Sequence, residues 1–163
     1  MSDRKRRYTW QFIDACCKKL ASQIQTDHDV KHVIGISRGG LIPATIIAKQ
    51  LGTREVLSLG VRSYDEGADY QTRQHVPEVY QDIKQCYQLV GTEPILIVDD
   101  ISDQGNTFKF VKQHLSQMCT NLNIVTASLF CKKDTEYVPD YVCMMPQQHE
   151  WVVFPWETDE ESE

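Results

Sequence analysis

Three observations predict an α/β fold for this chain, a mostly parallel twisted sheet flanked by helices. Short apolar runs, Val33-Ile34-Gly35-Ile36 and Ile95-Leu96-Ile97-Val98, alternate with stretches of helical periodicity, the order expected of parallel strands joined by helical crossovers. Both runs end abruptly in loops of glycine and charge, Ser37-Arg38-Gly39-Gly40 and the nine residues Asp99 to Thr107, DDISDQGNT. Loops at the carboxyl ends of parallel strands are where open α/β sheets bind ligands. Finally, 163 residues suffice for one sizeable core and leave no length for a separate substrate domain.

The elements follow in order. Thr9 is suited to cap a helix in which Phe12, Cys16, Leu20 and Ile24 recur every four residues, with Ile13 and Cys17 widening the stripe. The first apolar run is a strand, and Leu41 to Leu51 a helix closed by Gly52. Val56 to Val61 reads as the next strand. After it, residues 63–90 are mostly polar and weakly periodic, which predicts a long loop, either a functional lid or a disordered segment. The run at Ile95 delivers its acidic loop, and Phe108, Val111, Leu115 and Met118 then mark a helix. Ile124 to Phe130 and Tyr141 to Met145 read as further strands, followed by an aromatic-rich turn containing Trp151, Phe154, Pro155 and Trp156. Residues 1–157 are expected to form a single domain and the acidic residues 158–163 a disordered tail.

Composition excludes several classes. A net charge of −6 and a pI near 5.3 argue against a nucleic-acid partner, which would need clustered cations. No apolar run approaches the roughly 18 residues of a membrane span, so no membrane association is expected and the cytoplasm is the default location. The six cysteines (16, 17, 86, 119, 131 and 143) have no zinc-type spacing and read as reduced thiols, and the five histidines match no metal or catalytic pattern.

The acidic loop carries the chemistry. Paired carboxylates at a strand edge can hold diol hydroxyls or a divalent cation, while backbone N–H groups leading into a helix N-terminus attract phosphate. A DDxxD spacing also occurs in magnesium-diphosphate sites of large all-helical enzymes, but here it follows a β-branched run and precedes glycine in a short α/β chain. Taken singly, Lys132 beside Lys133 would read as surface charge and Trp151 as partial core or a subunit contact.

The segment Val98 to Thr107 resembles the phosphoribosyl pyrophosphate motif of type I phosphoribosyltransferases. Tyr8-Thr9-Trp10, Ser37 to Pro43, Ser63-Tyr64-Asp65, Phe130-Cys131-Lys132 and Trp151 to Trp156 fall in the order seen in the bacterial xanthine-guanine (6-oxopurine) members. The resemblance implies the type I phosphoribosyltransferase fold, with a small hood and flexible loop at about residues 63–90. It implies a Mg²⁺-dependent purine phosphoribosyltransferase, joining guanine, xanthine or hypoxanthine to phosphoribosyl pyrophosphate to give a nucleoside 5′-monophosphate and pyrophosphate. Asp99 and Asp100 would hold the ribose hydroxyls, directly or through Mg²⁺, and Gln104, Gly105, Asn106 and Thr107 would wrap the 5′-phosphate. Asp103 would act as general base near N7 of the purine; Ser37, Arg38, Gly39 and Gly40 would lie at the pyrophosphate, with the Ser37-Arg38 peptide able to be cis. Lys132 would donate to the purine O6, Trp151 would stack on the base and the Val152 backbone would meet its edge. Ser63 and Tyr64 would belong to the hood that closes over the reaction. A homo-oligomer, dimer or tetramer, is expected.

One departure stands out: the family usually has Thr-Gly-Gly-Thr where this chain has Gln104-Gly105-Asn106-Thr107, although asparagine tolerates positive φ better than most residues. The altered loop leaves two alternatives, a non-catalytic sensor of a nucleotide or of phosphoribosyl pyrophosphate, and a phosphoribosyltransferase for another base.

Overall fold

A computed structural model of the chain describes residues 4–66, 74–83 and 93–157. Its main sheet has six strands in the order β4-β3-β2-β5-β6-β7, and a separate pair joins β1 to β8. These are β1 (Arg4–Arg7), β2 (His32–Ser37), β3 (Val56–Glu66), β4 (Gln74–Gln81), β5 (Pro94–Ser102), β6 (Asn123–Cys131), β7 (Tyr141–Met144) and β8 (Glu150–Val153). The helices are α1 (Trp10–Asp27), α2 (Leu41–Leu51) and α3 (Asn106–Met118). Every pairing from β3 through β2, β5 and β6 to β7 is parallel, and β4 alone runs antiparallel to its neighbour in this sheet.

The unbroken apolar run of β5 follows from its central position. Ile95 and Ile97 face α3, packing with Phe108, Val111 and Leu115, whereas Leu96 and Val98 face α1 and α2. A strand covered on both faces has no polar side to display, so it reads as continuous rather than alternating. The four residues are fully buried, and β5 is the rigid base from which the acidic loop projects. Thr9 caps α1 by accepting a hydrogen bond from the Phe12 N–H, and Gly52 ends α2 in the left-handed region at φ 74°.

Two sequence expectations are corrected, and one strand, β1, was not anticipated. Residues 63–66 and 74–81 are strand rather than loop: β3 continues to Glu66 and pairs with β4, Val61 opposite Val79 and Ser63 opposite Pro77. Pro77 and the polar flanks concealed an edge strand, the one place in a sheet where proline is tolerated. The remaining parts of the expected hood, residues 67–73 and 84–92, lie outside the described residues, as does the expected tail at 158–163. The supposed aromatic turn contains β8, and the basic N-terminal run forms β1, with Lys5 in register with Trp151 and Arg7 with Val153. The buried Glu150 carboxylate fastens this small sheet to the core, accepting from the Tyr8 hydroxyl at 2.6 Å and pairing with Arg6 at 3.5 Å. Tyr8 in turn packs against Phe12 and Phe130.

Among the described residues no helix is long and apolar enough to cross a membrane. Cys16, Cys17, Cys119 and Cys131 are buried free thiols, and Cys143 is a half-buried one.

Because β5 sets the position of the acidic loop, a cavity beneath it is costly. Leu96→Ala is expected to destabilise the protein by about 3 kcal/mol, a fall of roughly 10 °C in Tm by calorimetry.

Candidate active site

A cleft of about 360 Å³ opens at the carboxyl edge of the sheet, lined by Ser63 and by every residue from Asp99 to Phe108. Its floor is the acidic pair. β5 carries Asp99 and Asp100 just past its last buried apolar residue, and the Asp100 N–H donates to the Asp99 carboxylate at 2.9 Å. Burial pushes the Asp99 carboxyl well above the usual carboxylate range, and the neighbouring Asp100 charge raises it further. Asp100 is pushed up to about 6, again by burial, with the Glu157 charge adding to the effect and the Ile101 N–H opposing it. Two like charges at the end of a buried strand resist ionising together, so the pair is prepared for a cation or for hydroxyl donors.

The loop between β2 and α2 closes over this pair because it contains glycine. A Cβ on Gly39 would overlap the Asp100 carboxylate, and one on Gly40 would meet the Val98 carbonyl and lie 2.9 Å from Asp99 Cα. The Ser37-Arg38 peptide is cis. Ser37 is buried at the end of β2, while the Arg38 side chain is exposed. The loop is tied down by the Gly40 N–H donating to the Ile36 carbonyl at 2.9 Å.

Residues 104–107 lead into α3, with Gly105 at φ 85° occupying the cap position without a side-chain cap. Here glycine is required twice. The backbone is left-handed, and a Cβ would stand 2.5 Å from the Tyr137 nitrogen and 2.9 Å from Thr135 Oγ1. Asn106 is the first helical residue, and positive φ is confined to Gly105 in this loop, so asparagine's tolerance of that region is not used. Its amide instead donates to Gln104 Oε1 at 3.3 Å.

Beside the cleft the Lys132 ammonium lies 2.9 Å from the carboxylate of Asp103 and 5.9 Å from the centre of the Trp151 ring, and Lys132 lines a neighbouring cavity of about 250 Å³. Asp103 is exposed, and Lys132 is half-buried where β6 ends. Trp151 is exposed on β8, and the pleat turns its neighbour Val152 into the core. Residues far apart in sequence thereby meet. Ser63 lines the cleft from β3; Tyr64 follows it in that strand, opposite Val76, and its side chain lies outside the described residues.

Sequence reasoning passed over Glu157, whose charge reaches Asp100, and the turn residues Thr135, Glu136 and Tyr137 beneath the loop of residues 104–107. Glu157 stands at the last position of the expected domain with no motif around it, and its carboxylate accepts from the Phe154 N–H at 2.9 Å. The Thr-Glu-Tyr segment has no periodicity to reveal it.

A carboxylate pair facing an amide-rich loop at a helix N-terminus, on the edge of a parallel sheet, defines a class of protein built to hold a sugar phosphate by both ends. Comparison with known proteins makes the class specific. The chain belongs to the phosphoribosyltransferase family, whose phosphoribosyl transferase domain pattern matches residues 8–163, and it is a transferase of that type. It is 32% identical over 151 residues to the xanthine-guanine phosphoribosyltransferase of Gluconobacter oxydans, covering 92% of this chain and 83% of that protein. It is equally identical over 160 residues to the protein of the same name from Idiomarina loihiensis, covering 96% and 89%. Among solved structures it is similar to a purine phosphoribosyltransferase from Pyrococcus horikoshii, with a TM-score of 0.80, 30% identity, and 94% and 95% of the two chains covered.

The acidic floor has a consequence for stability. Asp100 holds its proton more tightly folded than unfolded, so stability falls as pH rises from about 4 toward 6, and the penalty is fully present above 6. In metal-free buffer at pH 7.5, Asp100→Asn is expected to be more stable than the parent by about 2 kcal/mol, roughly 6 °C in Tm, with the gap shrinking as pH falls through 6 and closing below about pH 4. Thermal denaturation across that pH range checks both the sign and the window.

Proposed function

We propose that this protein transfers the 5-phosphoribosyl group of phosphoribosyl pyrophosphate to a 6-oxopurine (guanine, xanthine or hypoxanthine), releasing pyrophosphate and the nucleoside 5′-monophosphate. The observation that carries the proposal is the meeting of Lys132 and Trp151 beside Asp103, which itself lines the cleft that the Gly105 loop also lines. The relatives named for xanthine and guanine support the choice of base.

The purine would stack on Trp151, whose ring is exposed to receive it, while the Val152 backbone meets its edge. Lys132 would donate to the exocyclic O6, a contact that an amino group in that position would refuse. The amides of residues 104–107 would take the 5′-phosphate, and Asp99 and Asp100 the ribose hydroxyls. With the sugar so fixed, a ring nitrogen of the base attacks C1′ as the bond from C1′ to the pyrophosphate oxygen breaks. The proton on N7 passes to the Asp103 carboxylate, restoring neutrality to the product base. Arg38 and the Gly39-Gly40 backbone would face the departing pyrophosphate and stabilise its charge. Ser63 and Tyr64, at the rim on β3, would help exclude water.

The donor chemistry fits Mg²⁺. Among the described residues no group of three or more histidine, cysteine or acidic side chains makes a metal cage. The adjacent carboxylates of Asp99 and Asp100 instead suit a hard ion that takes one or two protein oxygens and completes its shell with substrate and water. When bound there, Mg²⁺ would withdraw charge from the pyrophosphate. We also propose a homo-oligomer, dimer or tetramer, working in the cytoplasm, with phosphoribosyl pyrophosphate and a free purine as its partners.

Pyrophosphate release by the purified protein with Mg²⁺, over guanine, xanthine, hypoxanthine, adenine and uracil, tests the proposal. Release with one or more of the first three is expected. Activity on none of them overturns it, and tight nucleotide binding without turnover would mark a sensor instead. Asp103→Asn is expected to lower kcat about 100-fold with less effect on KM, and Trp151→Ala to raise the purine KM roughly tenfold.

A further inference from the structure

We infer that the turn following Lys132, residues 135–137, is a strap that positions the 5′-phosphate loop. This inference rests on the reading of residues 104–107 as that loop. α3 has no side-chain cap at Gly105, so the turn entering it needs another anchor. The strap supplies one on the side away from the cleft, since none of its three residues belongs to the cleft lining.

The hydrogen bonds select backbone acceptors and leave donors unspent. The Ser102 carbonyl accepts from the Lys132 N–H at 2.9 Å, and the Gln104 carbonyl accepts from the Glu136 N–H at 3.0 Å. In a planar trans peptide the carbonyl of one residue and the N–H of the next point in opposite directions. With the Gln104 carbonyl turned toward the strap and the Ser102 carbonyl toward the Lys132 N–H at the end of β6, the Gly105 and Asp103 N–H groups turn away from these two partners, and both residues line the cleft. An anion site made of backbone amides requires that polarity.

Side chains lock the arrangement. Ser102 Oγ donates to the Tyr137 carbonyl at 2.8 Å and sits 3.2 Å from Thr135 Oγ1, which itself bonds the Tyr137 carbonyl at 3.1 Å. The Tyr137 ring stacks on Phe108 of α3 at 5.6 Å, and its hydroxyl lies 3.2 Å from both Lys112 Nζ and Thr126 Oγ1. The Gly105 Cα fits directly against the Tyr137 backbone. The strap starts three residues after Lys132, so one short segment holds the purine-contacting ammonium at one end and the phosphate loop at the other. Thr135 and Tyr137 lie outside the cleft lining, and Ser102, although it borders the cleft, spends its hydroxyl on the Tyr137 carbonyl, so the three are positioning residues.

The test compares ligands that differ only in the phosphate. Ser102→Ala, Thr135→Val and the conservative Thr135→Ser are titrated by calorimetry with guanosine 5′-monophosphate and with guanosine, and assayed for KM and kcat. The expected result is about tenfold weaker binding of the monophosphate and a similar rise in KM for phosphoribosyl pyrophosphate, in Ser102→Ala and Thr135→Val. Guanosine affinity and the purine KM should stay within twofold of the parent, and Thr135→Ser should restore parental values. Monophosphate and nucleoside affinities falling together, or neither changing, would overturn the strap while leaving the enzyme reading intact. A parent protein that binds neither monophosphate nor phosphoribosyl pyrophosphate would overturn the reading of the site and the strap with it. Ser102→Ala carries the test if Thr135→Val does not fold.

Discussion

Everything at the cleft depends on the contact between two strand ends, where Gly39 and Gly40 lie against Asp99 and Asp100 without a Cβ between them. β2 and β5 are adjacent and parallel, with Ile34 beside Ile97 and Gly35 beside Val98, so their carboxyl ends arrive together. Two loops leaving neighbouring strands at one edge would ordinarily collide. Glycine on one side removes the collision, and the acidic pair occupies the space. The sheet thus supplies position and the glycines supply proximity.

That proximity has an energetic side. Carboxylates at the end of a fully buried strand are desolvated, and Asp99 and Asp100 are both held above their ordinary range for that reason. The unliganded protein carries this as a cost to folding, of the kind expected where binding groups are prepared in advance. The double-sided core of β5 offsets it, since Ile95, Leu96, Ile97 and Val98 are buried against helices on both faces. The Lys132 and Asp103 pair is different: both groups reach solvent, so it contributes little to stability and instead fixes the two side chains relative to each other.

Much of this was legible in the sequence, and particular residues say why. Val33-Ile34-Gly35-Ile36 and Ile95-Leu96-Ile97-Val98 are strands because apolar, β-branched runs of four have few other places to go in a short chain, and the loops that end them announce themselves by glycine and charge. The edges were harder. β4 was hidden by Pro77 and by the one-sided burial of an antiparallel edge, and β1 by four charged residues that hold their place through pairing with β8 rather than through apolar pattern. The turn under residues 104–107 was silent because its tie to that loop is a backbone hydrogen bond from Glu136 to the Gln104 carbonyl, which no side-chain pattern encodes. Asn106, standing where relatives usually have glycine, was expected to draw on asparagine's tolerance of positive φ, but the left-handed residue is Gly105, one place earlier.

The central claim is that the glycine loop and the acidic pair form one binding surface, and Gly39→Ala tests it most directly. The added Cβ would overlap the end of the Asp100 side chain, so Asp100 must move while the surrounding backbone need not. Calorimetric titration of this variant with phosphoribosyl pyrophosphate and Mg²⁺ should give binding at least tenfold weaker than the parent at a Tm within a few degrees of it. Unchanged affinity in a folded variant would contradict the account.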